Sequence, residues 1–171
     1  MTIGRLFLAV VAVVSLSIVV GCGDDDDSAG AGGANGGQEI TVEAGSLSKP
    51  EFVKRADKLC KEARARYKRD FDDFVGSDIP TPASPLKPSK AAKLVDTVLV
   101  PHFRKLVDQI NALGAPKGDE GKVAAFLNTL QQRLDQAEAQ PAKFIKELSP
   151  LSAAVRKART YGLVGCAYNL S

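Results

Sequence analysis

Apolar residues recur at steps of three and four from Phe52 to Tyr161, and that spacing describes helices rather than strands. Phe52, Ala56, Leu59, Ala63, Tyr67, Phe71 and Phe74 form one stripe. Leu94, Val95, Val98, Leu99, Phe103, Leu106, Ile110 and Leu113 form a second. Val123, Phe126, Leu127, Leu130, Leu134 and Ala137 form a third, and Phe144, Ile145, Leu148, Leu151, Val155, Ala158 and Tyr161 a fourth. An apolar stripe must be covered by another element, and four stripes closing on one core are the economical solution. The expected fold is all-α: an antiparallel four-helix bundle with Pro-kinked helices, built from residues 47–171.

Local signals place the ends. Ser48-Lys49-Pro50-Glu51 fits a capping box, with Leu47 and Phe52 spaced for a hydrophobic staple, and Gly76 ends the first helix. Ser77 to Pro88 carries Pro80, Pro82, Pro85 and Pro88 and reads as an extended crossing segment. The second helix starts near Ser89, and Pro101 predicts a kink or restart that keeps the apolar register. Residues 114–119 read as a loop, with Asp119 and Glu120 suited to the positive end of the next helix. The third and fourth stripes nearly share a register across Gln140-Pro141, so one long kinked helix competes with a reversal there. The reversal is preferred, because a single helix from 123 to 161 leaves its stripe without partners. Pro150 is expected to bend the fourth helix and Gly162 to cap it.

The first 46 residues have another character. Met1–Arg5 carries one basic side chain, and Leu6–Val20 is an uninterrupted apolar and small-residue run of 15. A bilayer span needs about 20 residues, so the run fits a signal-peptide core. It ends in Val19-Val20-Gly21-Cys22, which resembles the bacterial lipoprotein lipobox. The resemblance implies removal of 1–21, a diacylglyceryl group on the Cys22 sulfur and acylation of the new amino terminus. Two or three acyl chains hold a protein at a membrane effectively permanently. The expected location is the extracytoplasmic face of the cell membrane, with the N-terminal lipid as anchor. An ordinary secretory peptide and a retained membrane helix are the competing readings. Arg5, the core length, Gly21 before Cys22 and the polar stretch that follows favour the lipoprotein.

Residues 22–46 then read as the lipidated Cys22 and a disordered tether. Asp24–Asp27, Glu39 and Glu43 are its acids, it has no Lys or Arg, and it is rich in Gly. Such a chain spans roughly 25–30 Å on root-mean-square average. Residues 47–171 carry 22 Lys or Arg against 14 Asp or Glu, a net +8. Basic residues are densest in the first helix, where Lys54, Arg55, Lys58, Lys61, Arg64 and Lys68 are the candidate contacts for an envelope protein, a wall polymer or anionic lipid. A basic residue near an anionic membrane contributes about 1 kcal/mol. The competing reading is the plain solvated face of an amphipathic helix. Nucleic acid is not expected outside the membrane.

With Cys22 assigned to the anchor, Cys60 and Cys166 remain, an even count outside the cytoplasm that favours a bridge over two buried thiols or a redox site. The segments FVKRADKLCKEA, LGAPKGDE and YGLVGC, with a Pro-split middle helix, resemble small lipoproteins of actinobacterial type. In those, a lipobox and Gly-rich tether precede a disulfide-closed helical domain of unassigned function. The resemblance covers about Ser48 to Cys166 and transfers no catalytic or binding residue.

Catalytic signals are sparse. His102 is the sole imidazole, no metal site can be assembled from it, and no cofactor motif is present. An EF-hand register from Asp70 puts Phe74 and Val75 where an oxygen ligand and the turn glycine belong. The chain reads as non-enzymatic. The alternative is a carrier of haem or another apolar small molecule, with a pocket near His102, Tyr67 and Tyr161.

Overall fold

The computed structural model describes residues 39–77, 80–81, 84–147 and 149–171. The expected signal peptide, Cys22 and the expected tether up to residue 38 lie outside the described residues. Helices α1 (Lys49–Val75), α2 (Pro88–Leu94), α3 (Val100–Asn111), α4 (Glu120–Ala139), α5 (Pro141–Lys146), α6 (Ser152–Tyr161) and α7 (Val164–Asn169) make an all-α fold, with no strand among the described residues.

The start of α1 follows its sequence signal. The Glu51 carboxylate accepts the Ser48 N–H at 3.1 Å and the Ser48 hydroxyl at 2.6 Å. Phe52 is fully buried, with Leu47 packed on the same core. Gly76 closes the helix at φ 58°, its N–H donating to the Asp72 carbonyl.

Pro101 acts through a π turn. Val95–Leu99 joins α2 to α3 without interruption, and the Val100 N–H reaches back five residues to the Val95 carbonyl. A proline ring crowds the carbonyl four residues earlier and supplies no N–H, so widening the preceding turn relieves the clash. The apolar face survives this: Val95, Val98, Leu99, Val100, Phe103, Leu106, Val107 and Ile110 are all buried.

The fourth stripe departs from expectation. Helix α5 ends at Lys146, Glu147 is extended (φ −68°, ψ 134°), and α6 begins only at Ser152. Pro150 therefore breaks the helix rather than bending it. Its ring would meet the Lys146 carbonyl, and it disfavours helical backbone at Ser149. Gln140, at φ −140° and ψ 61°, likewise separates α4 from α5, so no single helix runs from 123 to 161. Gly162 (φ 105°) caps α6 in a Schellman arrangement, with Leu163 N–H donating to the Ala158 carbonyl at 2.9 Å and Gly162 N–H to that of Arg159 at 3.1 Å. No helix is expected after it, yet α7 follows.

The packed domain also begins earlier than residue 47. Val42 is buried, and Ile40 packs on the core. The Asn128 carboxamide accepts the Ile40 N–H at 2.7 Å and donates to the Ile40 carbonyl at 2.9 Å. Gly45 N–H donates to the Ala115 carbonyl at 2.7 Å, and Ala115 N–H to that of Glu43 at 2.8 Å. Residues 39–46 thus form a strap along α4 and the 113–115 loop, because their backbone groups find partners that composition alone does not reveal.

Helix α1 packs against α3 and α7, α3 against α4, and α4 against α6. The Cys60–Cys166 disulfide joins α1 to α7, its Cα atoms 5.0 Å apart and its residues 106 apart in sequence. Both half-cystines are buried.

Candidate functional site

Lys54, Arg55, Lys58, Lys61, Arg64 and Lys68 are all exposed along α1, while Phe52, Ala56, Cys60 and Ala63 are buried on its other side. At 3.6 residues per turn, Lys54, Lys58, Lys61 and Lys68 share a strip about 80° wide and about 21 Å long. Lys58 Nζ lies 3.9 Å from Glu62, and Lys68 Nζ 2.6 Å from Asp72. Exposed pairs of this kind contribute about 0–1 kcal/mol each and yield readily to another anion. Arg64 sits 6.0 Å above the Tyr67 ring. Lys54 and Lys61 have no ion-pair partner among the described residues.

Asp57 and Glu62 are the acids set within this run, and the Asp57 carboxylate is engaged elsewhere. Its Oδ1 accepts the Cys166 N–H at 2.8 Å. Gly165 lies so close that a Cβ there would stand 2.6 Å from Asp57 Cγ. Helix α7 presents two exposed large apolar side chains one turn apart, Val164 at 64% and Tyr168 at 78% exposure. Sequence reasoning passed over both. Their i,i+4 spacing was the available signal, weak in so short a segment.

The three residues of the carrier hypothesis are not brought together. Tyr161 meets Phe52 edge-on at 6.0 Å near the start of α1. Tyr67, 15 residues further along α1, stacks between Phe71 and Phe103 at 5.8 and 5.5 Å. Fifteen residues of helix rise about 22 Å, which separates the two phenols. His102 Nε2 lies 2.7 Å from Asp70 Oδ2, a link between α3 and α1.

Tyr161 instead belongs to a polar cluster at the start of α4. Its hydroxyl donates to Asp119 Oδ2 at 3.1 Å, Lys122 Nζ lies 2.5 Å from Asp119 Oδ1, and Lys49 Nζ lies 3.5 Å from Oδ2. The Lys122 ammonium leads the groups that hold the Asp119 carboxyl below its ordinary range. Burial, then the Asp119 carboxylate, pushes the Tyr161 phenol well above its own. A cleft of about 380 Å³ opens between α6 and the C-terminus, bordered by Leu151, Val155, Arg156, Arg159 and Leu170. No group of three or more His, Cys, Asp or Glu among the described residues is placed to hold a metal ion. No described helix is long and apolar enough to cross a membrane.

Comparison with known proteins finds no matching family, no matching curated protein and no matching solved structure.

Proposed function

We propose that this chain is a lipoprotein held at the extracytoplasmic face of the cell membrane through Cys22, with a non-enzymatic helical domain that contacts an anionic surface or envelope partner. The observation that carries this reading is the basic ridge of α1, exposed along its length on the side opposite the core. The lipobox-like residues 19–22 support the anchor, and the resemblance to small disulfide-closed lipoproteins supports the architecture. We read the helices as an antiparallel four-helix bundle, with the continuous α2–α3 rod as second member and α5 with α6 in the fourth place.

Two experiments test the reading. Metabolic labelling with palmitate marks the chain, and Cys22→Ala abolishes the label; an unlabelled wild-type chain overturns the anchor. Reversing Lys54, Lys58, Lys61 and Lys68 to Glu in the full chain lowers retention on isolated wall material and phosphatidylglycerol vesicles by at least about tenfold. Phosphatidylcholine vesicles control for the N-terminal segment. Unchanged retention on the anionic materials removes the ridge from the proposal.

A further inference from the structure

We infer that α7 and the basic ridge of α1 form one membrane-facing surface, on which Val164 and Tyr168 enter the interface of an anionic bilayer while Lys54 and Lys61 meet its phosphates. This rests on the proposed contact of the ridge with an anionic surface, and it commits that surface to lipid.

The argument starts from the seam between α1 and α7. On α1, the path from core to solvent runs through Ala56 and Cys60, then Asp57, then Lys61 and Lys54, by the angular order of helical positions. On α7, the same path runs through Cys166, then Gly165, then Tyr168 and Val164. The two paths are in register, because Cys166 is bonded to Cys60 and Gly165 lies against Asp57. Both helices therefore turn their outermost residues to the same side of the seam. Lys54 and Lys61 stand three residues before and four after Asp57, its neighbours on the helix surface.

The chemistry of this face matches a bilayer interface. Tyrosine is favoured at the headgroup level, with its ring in the apolar region and its hydroxyl in water. Apolar burial supplemented by attraction of basic residues to anionic lipid is how interfacial helices bind. Val164 and Tyr168 are the two large apolar side chains left strongly exposed among the described residues, and they lie on the helix whose Gly165 meets Asp57, the ridge-side neighbour of Lys54 and Lys61. The disulfide fixes α7, which carries the pair, against α1, which carries the lysines.

The chain contains no Trp, so Tyr168→Trp supplies a single reporter. The full oxidised chain carrying it is reconstituted into vesicles of phosphatidylcholine, alone or mixed with phosphatidylglycerol. Acyl-chain-brominated lipid serves as quencher. Expected are a blue-shifted, quenched emission with phosphatidylglycerol, its reversal by high salt, and its loss in Lys54→Glu/Lys61→Glu. Emission that stays red and unquenched in phosphatidylglycerol vesicles, with the cystine intact and helicity unchanged, overturns the inference. If ridge reversal still lowers retention on anionic materials in that case, the ridge reading survives and only the bilayer is excluded. Quenching equal in both lipid mixtures overturns the phosphate contact. Quenching that persists in the charge-reversed variant does so as well. A soluble polyanion that shifts the emission in the absence of lipid excludes the bilayer as the specific occupant.

Discussion

Asp57 of α1 caps a helix to which it does not belong: its Oδ1 accepts the N–H of Cys166, in the first turn of α7, at 2.8 Å. The residue preceding α7 is Leu163, which has no side-chain oxygen to offer, so the acceptor comes from across the seam. Asp57→Ala is expected to lower stability by about 1–2 kcal/mol in urea denaturation. Gly165→Ala costs about 1–3 kcal/mol by collision with the Asp57 side chain. The double variant loses less than the sum of the two, because removing the carboxylate opens space for the new methyl group.

The 106-residue separation closed by Cys60–Cys166 sets the size of a second effect. Cys60→Ala/Cys166→Ala is expected to destabilise by up to about 4.7 kcal/mol, most of it from a freer unfolded chain. Reductant reproduces the loss in the wild type and does nothing further to the variant. Equal denaturation midpoints with and without reductant in the wild type contradict this.

Stability responds to pH at both ends through the Asp119–Tyr161 pair. The lowered carboxyl of Asp119 binds its proton more weakly in the folded than in the unfolded chain. Its contribution is present above the ordinary value of 3.8 and is lost as pH falls through the folded value. The raised phenol of Tyr161 works oppositely: its contribution is full below the ordinary value of 10.0 and declines as pH climbs from there toward the folded value. Tyr161→Phe should flatten the alkaline decline. Part of the slope persists, since burial also raises Tyr67. Denaturant midpoints across pH, compared with the wild type, read both effects.

Arg133 gathers the break between α5 and α6. Its Nε donates to the Pro150 carbonyl at 2.6 Å, its terminal nitrogens reach Gln136 and Glu147, and its guanidinium lies 5.5 Å from the Phe144 ring centroid. Arg133→Ala is expected to cost about 1–3 kcal/mol, and Arg133→Lys to recover little, because an ammonium cannot reproduce the planar fork. Full recovery by lysine in thermal unfolding argues against this geometry.

Asn128→Ala removes both hydrogen bonds to Ile40 and is expected to release the strap. Amide exchange at Gly45, whose N–H is bonded to Ala115, should accelerate, with a global cost of about 1–3 kcal/mol. Gly45→Ala has the same direction, since its methyl would stand 2.7 Å from the Leu113 carbonyl oxygen. Unaltered exchange in Asn128→Ala means that the backbone bonds to Ala115 and the packing of Ile40 and Val42 hold the strap without Asn128.

Periodicity made the helical class legible, and the capping box at Ser48 and the glycine stops at Gly76 and Gly162 were readable because a cap involves residues only a few positions apart. The ridge was legible for the same reason: lysines at helical spacing share a face wherever the helix lies. Pro101 signals a disturbance without specifying a π turn, and Pro150 suggests a bend where the chain makes a break. In each case the surrounding packing decides how the backbone relieves the ring. Residues 39–46 looked like tether because Gly, Ala and Glu carry little apolar surface. Their place was decided by Asn128 and Ala115, whose hydrogen-bonding groups meet them only after folding.

The sequence by itself determined what depends on neighbours along the chain: the helical class, the start and stop of α1, the glycine stop of α6, the charged face of α1 and the availability of two cysteines for one bridge. The tertiary structure alone decided which distant groups meet, setting Asp57 at the start of α7, Tyr161 on Asp119 and Asn128 on Ile40. Local spacing orients a side chain around its own helix axis, whereas the partner it reaches depends on how the helices pack against one another.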